Sequence, residues 1–202
     1  MHGLINNSIQ CFLRDTYGQR AWAEIALFAG VGVEGFEAML VYDESQTVRL
    51  LDEAARMLDK PGDMILEDLG TYLVSHPNAE SIRRLLRFGG EGFFDFLQSL
   101  EDLPGRARLA VAELILPDLE LLDGPDGRFT IVVRGGHPGF SCVLVGVLRA
   151  MADDYGALVL LDLRRVAPGR QEIDVVLLDT SFAEGRSFCL ACPATGGDGD
   201  ER

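Results

Sequence analysis

The sequence predicts an α+β domain in which a helical amino-terminal half precedes a four-stranded antiparallel sheet with one inserted helix. Helical periodicity fills the first hundred residues, and two hairpin signals follow after Pro117. A continuous apolar segment between the two hairpins predicts the inserted helix. The chain has 202 residues and is 48% hydrophobic, which is enough to bury the core of one domain.

In the helical half, apolar residues recur three to four positions apart, as on the buried face of a helix. Gly18 ends the first predicted helix, Ser45 is predicted to cap the third, and Pro61 to open the fourth. The predicted helices cover residues 4–17, 21–28, 45–58, 61–74, 79–86 and 92–100.

The second half has the pattern of hydrophobic segments and turns that is typical of paired strands. Residues 118–122 and 129–133 flank a turn rich in glycine and aspartate, and residues 158–163 and 173–178 flank the turn at Pro168-Gly169. Between the hairpins, residues 140–151 predict a buried helix. Helices and strands that are segregated in this way are typical of α+β folds.

The charge of the chain limits its partners. A formal net charge of -14 argues against nucleic acid and anionic membranes as ligands. No apolar run approaches the roughly 20 residues of a membrane helix, and the amino terminus does not resemble a signal peptide, so we expect a cytoplasmic protein. We predict one domain over residues 1–180 and a flexible acidic tail over 181–202.

Five segments of the sequence form an ordered set of motifs. They are Met1-His2-Gly3-Leu4-Ile5-Asn6, Tyr17-Gly18 with Trp22, Leu58-Asp59-Lys60-Pro61 through Gly70-Thr71-Tyr72, residues 96–103, and Val145-Gly146-Val147-Leu148-Arg149. In this order they resemble the bacterial heme nitric oxide/oxygen-binding (H-NOX) family. The likeness extends over roughly residues 1–180 and agrees with the predicted α+β order.

The resemblance implies a heme, held by a histidine on the iron and by a Tyr-x-Ser-x-Arg motif on the two propionates. The matching positions are Pro104 for the histidine and Val133, Gly135 and His137 for the motif. Proline offers a metal no lone pair, and propionates buried without partners are costly, so we predict that the heme is not bound. Proline is tolerated there if Asp102 caps a helix whose first turn contains it.

The resemblance further implies a non-enzymatic, stand-alone sensory or regulatory domain that acts through a signalling partner, such as a histidine kinase or a cyclic-dinucleotide enzyme. The pocket would then be collapsed around side chains such as Leu103 and Val133, or hold another apolar small molecule. No residue pattern favours an enzyme acting on a tetrapyrrole or lipid-like substrate in that pocket.

Two alternatives stay open. Cys142, with the C-x-x-C pair Cys189 and Cys192, could bind zinc or act as a redox switch. A gas sensor could also bind heme through a nonstandard ligand such as His137. His2 and His76 are expected to be polar groups at helix ends.

Overall fold

The computed structural model describes residues 1–188 and has the predicted helical half. α1 and α3 carry most of its core, in which Trp22 and Ile65 are fully buried. The helices are α1 (Gly3–Ala29), α2 (Glu44–Leu58), α3 (Gly62–Ser75), α4 (Glu80–Arg87), α5 (Phe93–Gln98) and α6 (Leu103–Ala110), with single 3-10 turns at Pro77–Ala79 and Ser99–Asp102.

The second half is a four-stranded antiparallel sheet with one inserted helix, which confirms the predicted fold class. Its elements are β1 (Asp118–Asp123), β2 (Arg128–Arg134), α7 (Phe140–Tyr155), β3 (Leu158–Ala167) and β4 (Arg170–Asp179). The strand order is β1-β2-β4-β3, so each hairpin pairs locally and β2 joins β4 at the centre. One face of the sheet is buried, because alternate residues such as Ile131 and Ile173 point into the core.

Local geometry refines three predicted helix boundaries. Gly18 has φ 90° and ψ 160° inside α1, so the two helices expected on either side of it are two helical segments joined by a glycine kink. The cap of α2 is Asp43, whose carboxylate accepts the Ser45 N–H at 2.8 Å, and not Ser45 itself. Pro61 occupies the N-cap position of α3 and not its first turn.

The helical half and the sheet half meet where α3 crosses α7. A Cβ on Gly70 would lie 2.0 Å from the Val143 carbonyl oxygen, and a Cβ on Gly146 would lie 1.9 Å from that of Glu67. The two helix backbones therefore touch directly, which only glycine permits at these positions. α7 contributes to both cores, since Cys142 faces the helical half while its later apolar residues face the sheet.

Candidate functional site

Pro104 lies in the first turn of α6, which continues directly from the 3-10 turn Ser99–Asp102. A proline is structurally harmless there, because the N–H that it lacks has no partner inside the helix. Asp102 takes the N-cap position, as expected, but its carboxylate makes no capping hydrogen bond. The neighbouring Leu103 is buried, whereas Pro104 is half-buried.

The segment around Pro104 is fixed against the sheet and against α4. The Glu101 carboxylate accepts the backbone N–H of Leu121 on β1 at 2.8 Å. Arg106 donates to the carbonyl oxygen of Ser99 at 2.9 Å and to that of Leu85 at 3.5 Å. The start of α6 is therefore held both by packing and by hydrogen bonds to two neighbouring elements.

Val133 lies on the buried face of β2, opposite Leu119 of β1. It belongs to the same hydrophobic cluster as Leu103, Leu100 and Phe96. Two surface cavities, of about 460 and 310 Å³, lie elsewhere, and neither is lined by any of these four residues. The start of α6 and the buried face of β2 therefore contribute to one hydrophobic cluster.

Gly135 and His137 follow β2, and each makes contacts within the chain. Gly135 has φ 74°, and its N–H donates to the Gly169 carbonyl oxygen at 2.9 Å, which ties the ends of the two hairpins together. His137 Nδ1 accepts the Gly139 N–H at 3.1 Å, which leaves Nε2 3.6 Å from the carboxylate of Glu44 on α2. His137 therefore faces an anion of its own chain.

The four positions that the sequence predicts to match the family's heme motif lack the groups that the family's mode of heme binding needs. That mode needs an imidazole for the iron, and a guanidinium with two hydroxyls for the propionates. Pro104 and Gly135 carry no such group, Val133 is apolar, and His137 already faces Glu44. Arg134, the nearest guanidinium in sequence, pairs with Glu120 of β1.

His2 and His76 are helix-end groups, as expected. The Nδ1 atom of His2 accepts the Leu4 N–H at 3.2 Å and caps α1, and His76 does the same for Asn78 at 3.3 Å. The Nε2 atom of His2 is buried without a hydrogen-bond partner, 4.0 Å from a carboxylate oxygen of Glu113. Sequence reasoning missed this buried nitrogen, because nothing nearby in sequence indicates that the loop after α6 covers it.

Cys142 is the one residue of the proposed thiol site within the described part of the chain; Cys189 and Cys192 lie outside it. Cys142 is fully buried and borders the smaller cavity beside Asp63 and Arg165. Burial, and then the neighbouring Asp63 carboxylate, raise the pKa of the Cys142 thiol to about 11. Residues 1–188 contain no cluster of three or more potential metal ligands.

A buried charge cluster, which sequence reasoning also missed, joins α4, α7 and the segment after β4. The Asp154 side chain is 0% exposed and lies 2.8 Å from Arg83, 3.5 Å from Arg87 and 3.9 Å from Arg186. Arg186 also donates its N–H to the Asp154 carbonyl oxygen at 2.9 Å. The first residues of the predicted tail, up to 188, therefore contact the domain.

Comparison with known proteins gives the family. The sequence profile described as Haem-NO-binding matches residues 2–161, and the chain belongs to that family. It is 23% identical over 161 residues, 78% of its length, to Soluble guanylate cyclase 89Db of Drosophila melanogaster. It is 26% identical over 180 residues, 87% of its length, to Soluble guanylate cyclase gcy-34 of Caenorhabditis elegans. It covers 24% and 26% of these proteins, about a quarter of their length.

Solved H-NOX structures share the fold. A triple mutant of an H-NOX protein from S. oneidensis in the Fe(II) ligation state superposes with a TM-score of 0.76 at 16% identity, over 93% of this chain and 100% of the other. The Fe(II) unliganded H-NOX protein from K. algicida gives 0.76 at 15% identity, over 91% and 100%. Among residues 1–188, no helix combines the length and apolar composition that crossing a membrane requires.

Proposed function

We propose that this chain is a heme-independent member of the Haem-NO-binding family, a non-enzymatic regulatory domain that acts by contacting another protein. The observation that carries the proposal is the residue set at the four motif positions, Pro104, Val133, Gly135 and His137. It lacks both an iron ligand and a propionate clamp, while Val133 packs in one core with Leu103. The domain keeps the family fold, but it acts through contacts between its surface and another protein.

The curated relatives support a role within signalling systems. They are named as guanylate cyclases, and this chain matches about a quarter of each. We propose that the chain regulates a signalling protein, for which a histidine kinase or a cyclic-dinucleotide enzyme is our expectation from the family resemblance. We propose that it acts in the cytoplasm, as the sequence analysis predicts.

A hemin titration tests heme independence. The purified protein and a Pro104→Ala control are mixed with increasing hemin, reduced, and exposed to nitric oxide. We expect broad absorption without a sharp Soret band at a 1:1 ratio of hemin to protein. A third sample, Pro104→His, restores an imidazole at the position of the iron ligand. We expect no sharp Soret band there either, because the heme propionates would still lack partners. A sharp 1:1 Soret band in the unchanged protein that shifts with nitric oxide would overturn the proposal.

One observation favours heme bound by a nonstandard ligand as the second candidate function. The Nε2 atom of His2 is buried and has no hydrogen-bond partner within the described chain, and imidazole nitrogen is a common iron ligand. The hemin titration therefore includes His2→Ala and His137→Ala. A Soret band in the unchanged protein that one of these variants abolishes would establish that alternative.

The thiol switch is a third candidate, carried by the sequence pair Cys189 and Cys192 more than by Cys142, whose thiol is buried and has a raised pKa. Metal analysis of the protein and of a Cys189→Ser/Cys192→Ser variant tests it. Stoichiometric zinc that this variant loses would support a thiol site, whereas equal, trace zinc in both would exclude a zinc site.

A further inference from the structure

The most exposed large apolar side chains of the described chain lie on two segments. Leu109 is 90% exposed, Ile115 78%, and Met39 and Val41 72% each. Leu40, between the last two, is 49% exposed. Side chains of this size are costly to leave in water, and clusters of them mark interaction sites.

The amino-terminal residues bring the two segments together. The Gly3 N–H donates to the Leu40 carbonyl oxygen at 2.7 Å, and the Tyr42 N–H donates to that of Met1 at 2.9 Å. On the other side, the imidazole of His2 lies 4.0 Å from Glu113, between Leu109 and Ile115 in sequence. Residues 1–3 thus contact both segments.

We call the five side chains Met39, Leu40, Val41, Leu109 and Ile115 the N-terminal apolar surface. The backbone of Gly3 packs closely against the segment that carries three of these side chains, because a Cβ on Gly3 would lie 2.1 Å from the Glu37 carbonyl oxygen. Residues 39–41 and 109–115 do not form a sheet edge; their one strand-like contact is the isolated bridge between His2 and Val41. The surface therefore presents side chains and not a row of unpaired backbone groups.

The charge around this surface is mostly negative, with Arg108, next to Leu109, as an exposed exception. Residues 31–48 and 109–127 contain no lysine and no arginine, although the chain has 18 such residues. Within residues 1–188, Glu120 pairs with Arg134, whereas the other carboxylates of these segments form no ion pair with lysine or arginine. The carboxylates nearest the surface in sequence are Glu34, Glu37, Asp43, Glu44, Glu113 and Asp118.

We infer that the N-terminal apolar surface docks a basic amphipathic helix of a partner protein, a helix whose apolar stripe is flanked by lysine or arginine. The apolar side chains match the stripe, and the acidic rim matches its basic flanks. A second copy of this chain would oppose carboxylates with carboxylates, and an anionic membrane would be repelled. The inference rests on the proposed function, because it names the kind of partner through which the domain acts.

The test uses a fluorescent synthetic peptide of about 18 residues, long enough for five helical turns, with leucine and lysine at helical spacing. Two control peptides are the same composition in scrambled order and the same pattern with glutamate for lysine. Fluorescence anisotropy measures their affinity for the full chain at low and high salt. We expect the basic helix to bind, to weaken with salt, and to bind at least tenfold more tightly than either control.

The location of binding is tested with Leu109→Ser/Ile115→Ser, both exposed positions where the fold should persist, as circular dichroism verifies. The matched control is Leu178→Ser/Phe182→Ser, which are 53% and 62% exposed outside the surface. We expect at least tenfold weaker binding for the first variant and less than twofold change for the second. Equal affinity of all three peptides, or equal loss in both variants, would overturn the inference.

Two further measurements separate other occupants. Sedimentation that reveals a concentration-dependent dimer lost in Leu109→Ser/Ile115→Ser would assign the surface to a second copy instead. Co-sedimentation with phosphatidylglycerol vesicles lost in the same variant would assign it to a membrane. The hemin titration is independent of these results: failed peptide binding with no Soret band refutes the docking surface alone, whereas a Soret band refutes heme independence alone.

Discussion

Replacing Gly146 by alanine should destabilise the domain, because its missing Cβ is what lets α7 touch α3. An added Cβ would lie 1.9 Å from the Glu67 carbonyl oxygen and 3.0 Å from the Gly70 Cα. Ordinary contact begins at 3.4 Å, so the two helices would have to separate by about 1.5 Å. Overpacking of this kind costs about 1–3 kcal/mol. The clash is with backbone, so the upper end, about 3 kcal/mol, applies; alanine recovers up to about 1 kcal/mol of helix propensity, which leaves a net loss of about 2 kcal/mol.

Urea denaturation followed by circular dichroism measures the free energy of unfolding. Gly105→Ala in α6 is the matched control, since nothing lies within 4 Å of its added Cβ, and it should be neutral or stabilising. Gly70→Ala should resemble Gly146→Ala, and the double variant should lose less than the sum, because one separation of the helices accommodates both methyl groups. The reasoning would be refuted if Gly146→Ala were as stable as the wild type, or if it were no less stable than Gly105→Ala.

Two further predictions concern buried groups. Asp154→Asn should lower the free energy of unfolding by about 3–5 kcal/mol, because it removes the buried charge that Arg83 and Arg87 share and leaves Arg83 only the Glu80 carboxylate, 3.6 Å away. The exposed Asp153→Asn should cost less than about 0.5 kcal/mol; similar urea midpoints for both variants would contradict this. Cys142 should resist alkylation at pH 7.5 and gain reactivity as the pH approaches about 11, because the thiolate is the reactive form. Mass spectrometry of iodoacetamide-treated protein compares it with the half-buried Cys11; faster labelling of Cys142 than of Cys11 would show that the thiol is accessible.

Much of the fold was predictable because hydrophobic spacing is a local property. The helices of the first half, both hairpins and the inserted helix follow from period and turn residues, and the strand order confirms their arrangement. The kink at Gly18 was expected as a helix end, since glycine adopts φ 90° without strain. Ser45 was predicted as the cap of α2 in place of Asp43, because several polar residues compete there, and Pro61 was predicted one residue too far into α3, since backbone geometry decides where a helix begins.

The sequence identified candidate positions for the site, but it did not specify all the contacts that these residues make. Position matching identified Pro104, Val133, Gly135 and His137, and side-chain chemistry alone argues against the family's heme site at these positions. The family resemblance already suggested that Leu103 and Val133 pack in one region, whereas the approach of His137 to Glu44 depends on a contact between residues far apart in sequence. The consequence for heme stays a prediction that the titration decides.

The sequence by itself therefore determined the fold class and the acidic charge, and it predicts that the heme-binding side chains are missing, since each is a matter of residue types and their spacing. Tertiary structure alone decided which distant residues meet. It placed Asp154 among three arginines, held Gly70 against Gly146, and set the first three residues against both Leu40 and Glu113. Such contacts arise from the packing of whole elements against each other, which local spacing does not specify.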